Sequence, residues 1–543
     1  MPQTRYQTRW WIGERPFEWL RGRAAHLPRS LRTAGAIVLV AIAYFVAGTL
    51  GLSLGPLRGF AALVWPPTGI ALSALLLGGT RLWPGVFIGA ILVNASAGAP
   101  PAVAGVMGCG NTLEALLGVH LLRRACFDGA FGRIKDVVLL ILVAALAALV
   151  SATVGVGALL LDGTVPRANA DTVWFAWWWG NIMGVLVVTP LILTCAGGSW
   201  RQTLRRWREA AAVFATLLVT ALLVFGIGHP TFARAYFLFP PLIWVALRFG
   251  PLGSALGMAL VSTCAIAATA MRHGPFVEMR LSGSLTSLQL FLGVAATTTL
   301  LLAASIKERG ARDELMAVAA HELRNPITGM RLQLERMQRG LDQQWPAERL
   351  AQVSSKLVAQ LTRLQNLVEI LFDLARTRTV GLSLQTENFD LANVVQETVA
   401  GMSDALAKAE CEVELRLESA HGCWDRLRVA QVVSILLTNA MTHAPGKPIT
   451  ITLKIDNNLA RLTVQDRGRG VPERDRLRIF EPYQRASGEP LGKGLGLGLH
   501  IARQIVVALH GTIWVEGEPG GGAVFITELP LNSADAAAVP WPR

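Results

Sequence analysis

The chain has few cysteines and no paired ones. Its six (Cys109, Cys126, Cys195, Cys264, Cys411 and Cys423) form no CxxC pair and no spacing suited to zinc. They read as small buried hydrophobes in a reducing compartment, three of them in or beside apolar runs. No cleavable leader stands at the front, because the first apolar run starts only near Ala34, after a long polar arm. That run is expected to stay as an anchor. The chain also lacks the GK[ST] of a Walker loop and the GxGxxG of a dinucleotide fold.

What is present is a division between two solvents. Of 543 residues, 52% are hydrophobic and 16 are Trp, with the apolar residues concentrated in the first 305 positions. The net charge is +13. Ahead of the first apolar run stand seven arginines (Arg5, Arg9, Arg15, Arg21, Arg23, Arg29 and Arg32) against Glu14 and Glu18. Arginines before a span mark the cytoplasmic side, so the arm (1–33) is read as a membrane flank and no nucleic-acid partner is expected.

A span needs about 20 apolar residues. Ten runs qualify: 34–54, 61–79, 83–98, 102–122, 137–161, 172–194, 209–228, 235–248, 252–271 and 286–305. The eighth is short and Pro66-Pro67 break the second, so the count could fall to eight. With the N-terminus inside, the inner loops carry ten Lys and Arg and the outer loops five (Arg58, Arg167, Arg234, Arg272 and Arg280). The bias has the sign of a multi-pass inner-membrane protein with both termini cytoplasmic. Outer loops of at most about 15 residues hold no ligand-binding domain, so the stimulus is read within or near the lipid.

Three stretches here resemble one family. Leu63-Val-Trp-Pro-Pro-Thr-Gly69, the run from Leu82-Trp-Pro-Gly85 to Asn94, and Gly110-Asn111-Thr-Leu-Glu114-Ala-Leu are similar to MASE-type membrane-associated sensor domains of bacterial signalling proteins. The resemblance covers residues 35–305 and implies architecture more than stimulus. Asn111 and Glu114 lie mid-span about one turn apart and share a face. An ionisable residue at that depth is a candidate for sensing, and equally for a hydrogen bond that fixes helix packing. Asn181 is a weaker candidate, and its neighbours Trp177, Trp178 and Trp179 read as an interfacial belt.

Residues 306–338 read as helix. Leu315, Ala319, Leu323, Ile327, Met330, Leu334 and Met337 step by three and four, a single seam suited to a bundle. His321, 16 residues beyond position 305, points off that seam toward water. Asn325 shares its face, and Pro326 invites a kink. A second periodic helix near 347–377 makes a pair, and two chains would form a four-helix bundle. The run Met316-Ala-Val-Ala-Ala-His321-Glu-Leu-Arg-Asn-Pro-Ile-Thr328 resembles the H-box of HisKA-type sensor histidine kinases. The resemblance implies His321 as phosphoacceptor, Glu322 as the acid that polarises the imidazole, and Asn325 as the group that positions water for dephosphorylation. No Pro/Gly-rich linker separates the last apolar run from this helix, and only Gly310 interrupts its pattern.

Beyond position 386, alternation at 449–455, 459–464 and 524–529 marks strands interleaved with helices. Three motifs follow in the order of the GHKL ATP-binding fold, which they resemble. Asp425 to Ala440 is similar to an N-box, implying that Asn439 coordinates Mg²⁺. Ile435 stands where an Asn is common, and Thr442-His443 where Lys-Tyr is, so one phosphate contact is in doubt; Lys493, Arg485 or His443 could compensate. Asp466-Arg-Gly468-Arg-Gly470 implies an adenine-binding carboxylate, with Phe480 in a following F-box. Gly492-Lys493-Gly494-Leu-Gly496-Leu-Gly498 precedes a helix at 499–509, where backbone N–H groups and the helix dipole form an anion site.

The expected fold is therefore multi-domain: a polytopic α-helical membrane domain (34–305), a two-helix phosphoacceptor domain (306–380), an α/β sandwich of GHKL type (386–531) and a tail (532–543). The expected activity is ATP-dependent autophosphorylation of His321, followed by transfer to an aspartate of a separate response regulator. ATP and Mg²⁺ are the cofactors, with a homodimer and membrane lipid as partners. Two alternatives stand: a degenerate kinase acting as phosphatase or scaffold, and a transporter-like protein with a regulatory cytoplasmic half.

Overall fold

The computed structural model describes residues 29–53, 64–198, 200–226, 234–271, 273–277, 281–358, 384–456, 458–481, 496–517 and 521–531, with positions 360, 361, 364, 368 and 484 between them. The chain divides into two compact units, 1–313 and 314–543.

The first unit is helical among the described residues. Its helices are α1 (Arg29–Ser53), α2 (Pro66–Gly78), α3 (Trp83–Ser96), α4 (Pro101–Arg124), α5 (Ile134–Leu161), α6 (Ala170–Ala196), α7 (Trp200–Arg205), α8 (Trp207–Phe225) and α9 (Phe239–Ala270), then the start of α10 (Leu281–Asp342). Among the described residues, seven helices are long and apolar enough to cross a membrane: α1, α4, α5, α6, α8, α9 and the first part of α10. Their outward faces carry large apolar side chains such as Leu142, Leu146 and Leu149 of α5, as a lipid-facing surface requires.

The other apolar runs fall on shorter pieces. α2 and α3 have 13 and 14 residues. α9 contains a reversal at Gly250, whose φ of 61° and ψ of −149° no helix interior adopts. A Cβ placed on Gly257 would touch Leu242 and Val245 at 3.4 and 3.6 Å. Residues 12 and 15 positions apart on a straight helix would be about 18 Å or more apart, so the two arms fold back on each other. The first arm, 239–249, is too short to span alone at about 1.5 Å per residue.

The Trp65-Pro66-Pro67-Thr68-Gly69 motif explains the start of α2. Pro at the first helical positions suits a helix start, where the N–H has no intrahelical partner. Trp65 N–H donates to Gly180 O of α6 at 2.9 Å. A Cβ on Gly184 would lie 1.9 Å from Trp65 O, and one on Gly69 2.4 Å from Gly184 O. Only glycine at both positions allows the two backbones to approach this closely.

The second unit holds the remainder of α10, helical residues 347–358, and an α/β domain. Its strands are β1 (Glu387–Asp390), β2 (Val413–Leu417), β3 (His421–Trp424), β4 (Ile449–Asp456), β5 (Leu459–Gln465), β6 (Thr512–Glu516) and β7 (Val524–Pro530). Its helices are α11 (Leu391–Gly401), α12 (Ser403–Lys408), α13 (Arg426–His443) and α14 (Gly498–Ala508). The five-stranded sheet has the order β2-β4-β5-β7-β6, parallel between β2 and β4 and antiparallel elsewhere. β1 and β3 form a separate antiparallel pair.

α13 is the main helix of the second layer. Asp425 caps it by accepting from Arg428 N–H at 3.1 Å, and its other carboxylate oxygen accepts from Gln385 N–H at 2.8 Å. Its apolar face (Val429, Val432, Val433, Leu436, Leu437 and Ala440) shares one core with Ile449, Ile451, Leu453, Leu462 and Val464 of β4 and β5. The sandwich exists because helix and sheet each have one apolar face to bury.

Candidate functional site

Three positions four residues apart on α13 organise the nucleotide motifs: Ile435, Asn439 and His443. This spacing puts them on one face. At one end, a Cβ on Gly498 would lie 3.3 Å from Ile435 Cγ2, so α14 begins against Ile435. At the other end, a Cβ on Gly468 would lie 2.8 Å from His443 O, so the DxGxG loop passes against the helix terminus. Asn439 stands between, half-buried. Motifs some 30 to 60 residues apart in the chain thus converge on one helix face.

Asp466 follows β5 and is buried. Its Oδ1 accepts from Gly468 N–H at 2.8 Å and Ala523 N–H at 3.1 Å. Its own N–H donates to Ala523 O at 2.9 Å. The carboxylate is thereby fixed between two strand ends, with one oxygen wholly committed to backbone. Lys447 Nζ donates to Arg467 O at 2.9 Å and holds the same loop. Gly470 has φ 71° and Gly496 φ 64°, the left-handed region that the two glycine motifs supply cheaply.

Phe480 sits in the hydrophobic core, packed edge-on against Phe525 at 6.4 Å. Its carbonyl is 3.1 Å from His500 Nδ1 of α14, which ties this segment to the glycine-led helix. Arg485, Lys493 and Gly494 lie outside the described residues. These residues fit a nucleotide on structural grounds: a fixed buried carboxylate, a loop that tolerates no Cβ at Gly468, and glycines leading into the N-terminus of α14.

His321, Glu322 and Asn325 all lie on α10; their side chains are outside the described residues. α10 is continuous in hydrogen bonding through Pro326. On the seam, Ile327 is 51% and Leu334 50% exposed in the single chain. Leucine and isoleucine at such spacing suit burial against a partner helix.

The membrane candidates also converge. Asn181 Nδ2 of α6 donates to Glu114 Oε2 of α4 at 2.8 Å. Ser151 Oγ of α5 donates to Asn111 Oδ1 of α4 at 2.6 Å and accepts from Trp177 Nε1 at 3.1 Å. Asn111, Glu114, Ser151 and Asn181 are all buried. Sequence reasoning missed Ser151, whose only signal was a small polar residue inside an apolar run. Trp177 departs from the expected interfacial belt: it is buried and serves the cluster, while Trp178 Nε1 donates to Ala145 O at 2.8 Å.

Residues 35–310, just over half of the chain, match the MASE1 family. The chain belongs to the MASE1 family. Beyond the MASE1 domain, residues 311–379 match the His Kinase A (phospho-acceptor) domain, and 424–533 the histidine kinase-, DNA gyrase B- and HSP90-like ATPase family. The second match implies ATP binding. The alginate biosynthesis sensor protein KinB of Pseudomonas aeruginosa is 32% identical over 225 residues, 40% of this chain and 37% of that protein. The adaptive-response sensory kinase SasA of Thermosynechococcus vestitus is 30% identical over 232 residues, 41% of this chain and 60% of that protein. The chain thus spans 37% and 60% of the curated relatives it matches. Among solved structures, the Acinetobacter baumannii histidine kinase AdeS is 29% identical, covering 39% of this chain and 98% of that one, with a TM-score of 0.32. A complex of histidine kinase ThkA with response regulator protein TrrA is 27% identical, covering 40% and 61%, also at 0.32.

Proposed function

We propose that this MASE1 protein is a membrane sensor histidine kinase: it transfers the γ-phosphoryl group of ATP to His321 and from there to an aspartate of a separate response regulator. The observation that carries this reading is the convergence of Asn439, Gly468 and Gly498 on one face of α13, in a chain whose upstream helix bears His321.

Asp466 would accept from the adenine amino group through the oxygen not committed to Gly468 and Ala523. Asn439 would hold Mg²⁺, a hard ion that prefers oxygen ligands and neutralises phosphate charge. Lys493 and the glycines at 494, 496 and 498 would enclose the phosphates. Glu322 would accept the proton of one His321 ring nitrogen and leave the other as nucleophile. The nitrogen attacks the γ-phosphorus, the bond to the bridging oxygen breaks, and ADP leaves. Positioning and charge neutralisation supply most of the catalysis. Asn325 would orient water when the phosphoryl group is removed from the regulator.

Two chains would pair along the α10 seam, consistent with the exposure of Ile327 and Leu334. The arginine-rich arm supports an inner-membrane protein with both termini cytoplasmic, in contact with lipid, and with domains near 34–305, 306–380 and 386–531. Asn111 and Glu114 would take part in sensing. Ile435 and Thr442 favour a second reading, in which kinase turnover is weak and dephosphorylation of the regulator dominates.

The test is incubation of the purified full chain with γ-labelled ATP and Mg²⁺. Label in the protein that is lost in acid, kept in base, and passed to a receiver domain supports the kinase. A regulator-phosphate that decays faster with the chain present, without any labelling of the chain, supports the second reading.

A further inference from the structure

We propose that Glu114 is an intramembrane proton-binding site, and that loss of its proton moves the Ser151 hydroxyl from Asn111 to the Glu114 carboxylate.

A serine hydroxyl has one hydrogen to give and two lone pairs. Ser151 Oγ gives its hydrogen to Asn111 Oδ1 at 2.6 Å and receives from Trp177 Nε1 at 3.1 Å, with Asn181 Nδ2 3.3 Å away. Its hydrogen is committed. Yet the Glu114 carboxyl stands beside it, because the same Asn181 Nδ2 that is 3.3 Å from Ser151 Oγ is 2.8 Å from Glu114 Oε2. One hydrogen therefore faces two acceptors on the same helix, three residues apart.

Which acceptor wins depends on the charge of Glu114. In the observed arrangement its donor among the described residues is a single neutral amide, Asn181 at 2.8 Å. As a carboxylic acid Glu114 keeps this donor and gives its own hydrogen to the open lone pair of Ser151 Oγ; as a carboxylate out of water it has far too little with one neutral donor. An ionised Glu114 needs a second donor, and Ser151 is the hydroxyl in reach. The proton leaves to water, the hydroxyl turns, and Asn111 Oδ1 loses its partner. The tie from α5 to α4 then moves by three residues, about 4.5 Å along α4. Trp177 and Asn181 contact the same oxygen, so α6 moves with the change.

Among the described residues of α1 to α6, no charged side chain other than Glu114 stands at the middle of a helix. α2 and α3 carry no ionisable residue; those of α5 are Lys135 and Asp136 in its first turn, and those of α6 are Asp171 and Cys195 near its ends. On α4 itself they are Cys109, His120, Arg123 and Arg124. From α1 the ionisable group nearest the middle of the helix is Tyr44, which is buried. Arg29 and Arg32 stand at the start of that helix.

The link to kinase output rests on the proposed function; the proton site does not, so the experiment reads both. The full chain in lipid nanodiscs is followed by infrared difference spectroscopy while pH is raised from about 5 to about 9. The expected result is a protonated-carboxyl band that declines with pH and is absent in Glu114→Gln. In Ser151→Ala the decline moves to higher pH, because the carboxylate has lost its second donor. A Glu114 band that does not change over that range, or one unaffected by Ser151→Ala, overturns the proposal. Autophosphorylation is expected to follow the same titration in the wild type and to lose it in Glu114→Gln. A titrating band with no such dependence leaves the proton site standing and counts against the signalling role of this domain.

Discussion

Lys307 Nζ donates to the backbone carbonyl of Ala130 over 3.1 Å, fastening α10 to the loop between α4 and α5. One residue on, Glu308 Oε2 accepts from Ile134 N–H at 3.2 Å. The loop is itself organised: Arg133 grips Asp136 with Nε at 2.8 Å and Nη2 at 3.0 Å, and Asp128 N–H donates to the same carboxylate at 2.9 Å. α10 is therefore clasped 13 residues before His321.

Breaking the clasp should loosen this junction without disturbing the nucleotide domain. Charge-assisted hydrogen bonds are worth about 1.5–3 kcal/mol, less where water reaches them. Lys307→Met with Glu308→Ala is expected to speed amide exchange over residues 126–136 by about tenfold, an allowance of about 1.4 kcal/mol for partial exposure. Hydrogen-exchange mass spectrometry checks it, with residues 449–465 as the unchanged reference.

Asp466 is the next target. Asp466→Ala leaves the buried N–H groups of Gly468 and Ala523 without their acceptor, which costs about 1–3 kcal/mol. Both thermal stability and ATP affinity should drop. Gly468→Ala places a methyl 2.8 Å from His443 O, so the loop must shift and affinity falls with a smaller loss of stability. Calorimetric titration with ATP, beside a thermal melt, separates the two.

Ile435→Asn makes the opposite test. The side chain would gain a polar group beside Asn439 and lose its contact with the start of α14. Affinity for Mg-ATP is expected to rise about threefold, about 0.7 kcal/mol. An affinity that falls would show that the apolar contact at Gly498 matters more than a polar partner there.

Acid should weaken the nucleotide domain through His510. Its burial holds the imidazole below the ordinary value of 6.5. The folded state thus binds its proton less readily than the unfolded chain, so stability falls as pH drops through the unfolded value toward the folded one. His510 has φ 62°, which Asn tolerates. His510→Asn should flatten the melting temperature below pH 6.5, measured by calorimetry on the full chain.

Much of this was legible because local rules and the fold agree. The strands at 449–456 and 459–465 follow plain alternation, and α13 coincides with the N-box run from Asp425 to Ala440. The short strands β1, β2 and β3 gave no comparable signal, because four or five residues carry little periodicity and β2 is an edge strand with only partial burial. In the membrane half, apolar length shows where helices lie and says nothing of how they pack. The reversal at Gly250 needed a backbone angle, and Ser151 needed three neighbours from other helices. Asn111 and Glu114 were visible only as polar residues out of place.

The most direct test of the central claim is phosphorylation of the full chain with γ-labelled ATP and Mg²⁺, wild type against His321→Gln. Acid-labile, base-stable label mapped to His321 is expected in the wild type and none in the variant, with ATP affinity the same in both. Label that persists in His321→Gln would contradict it.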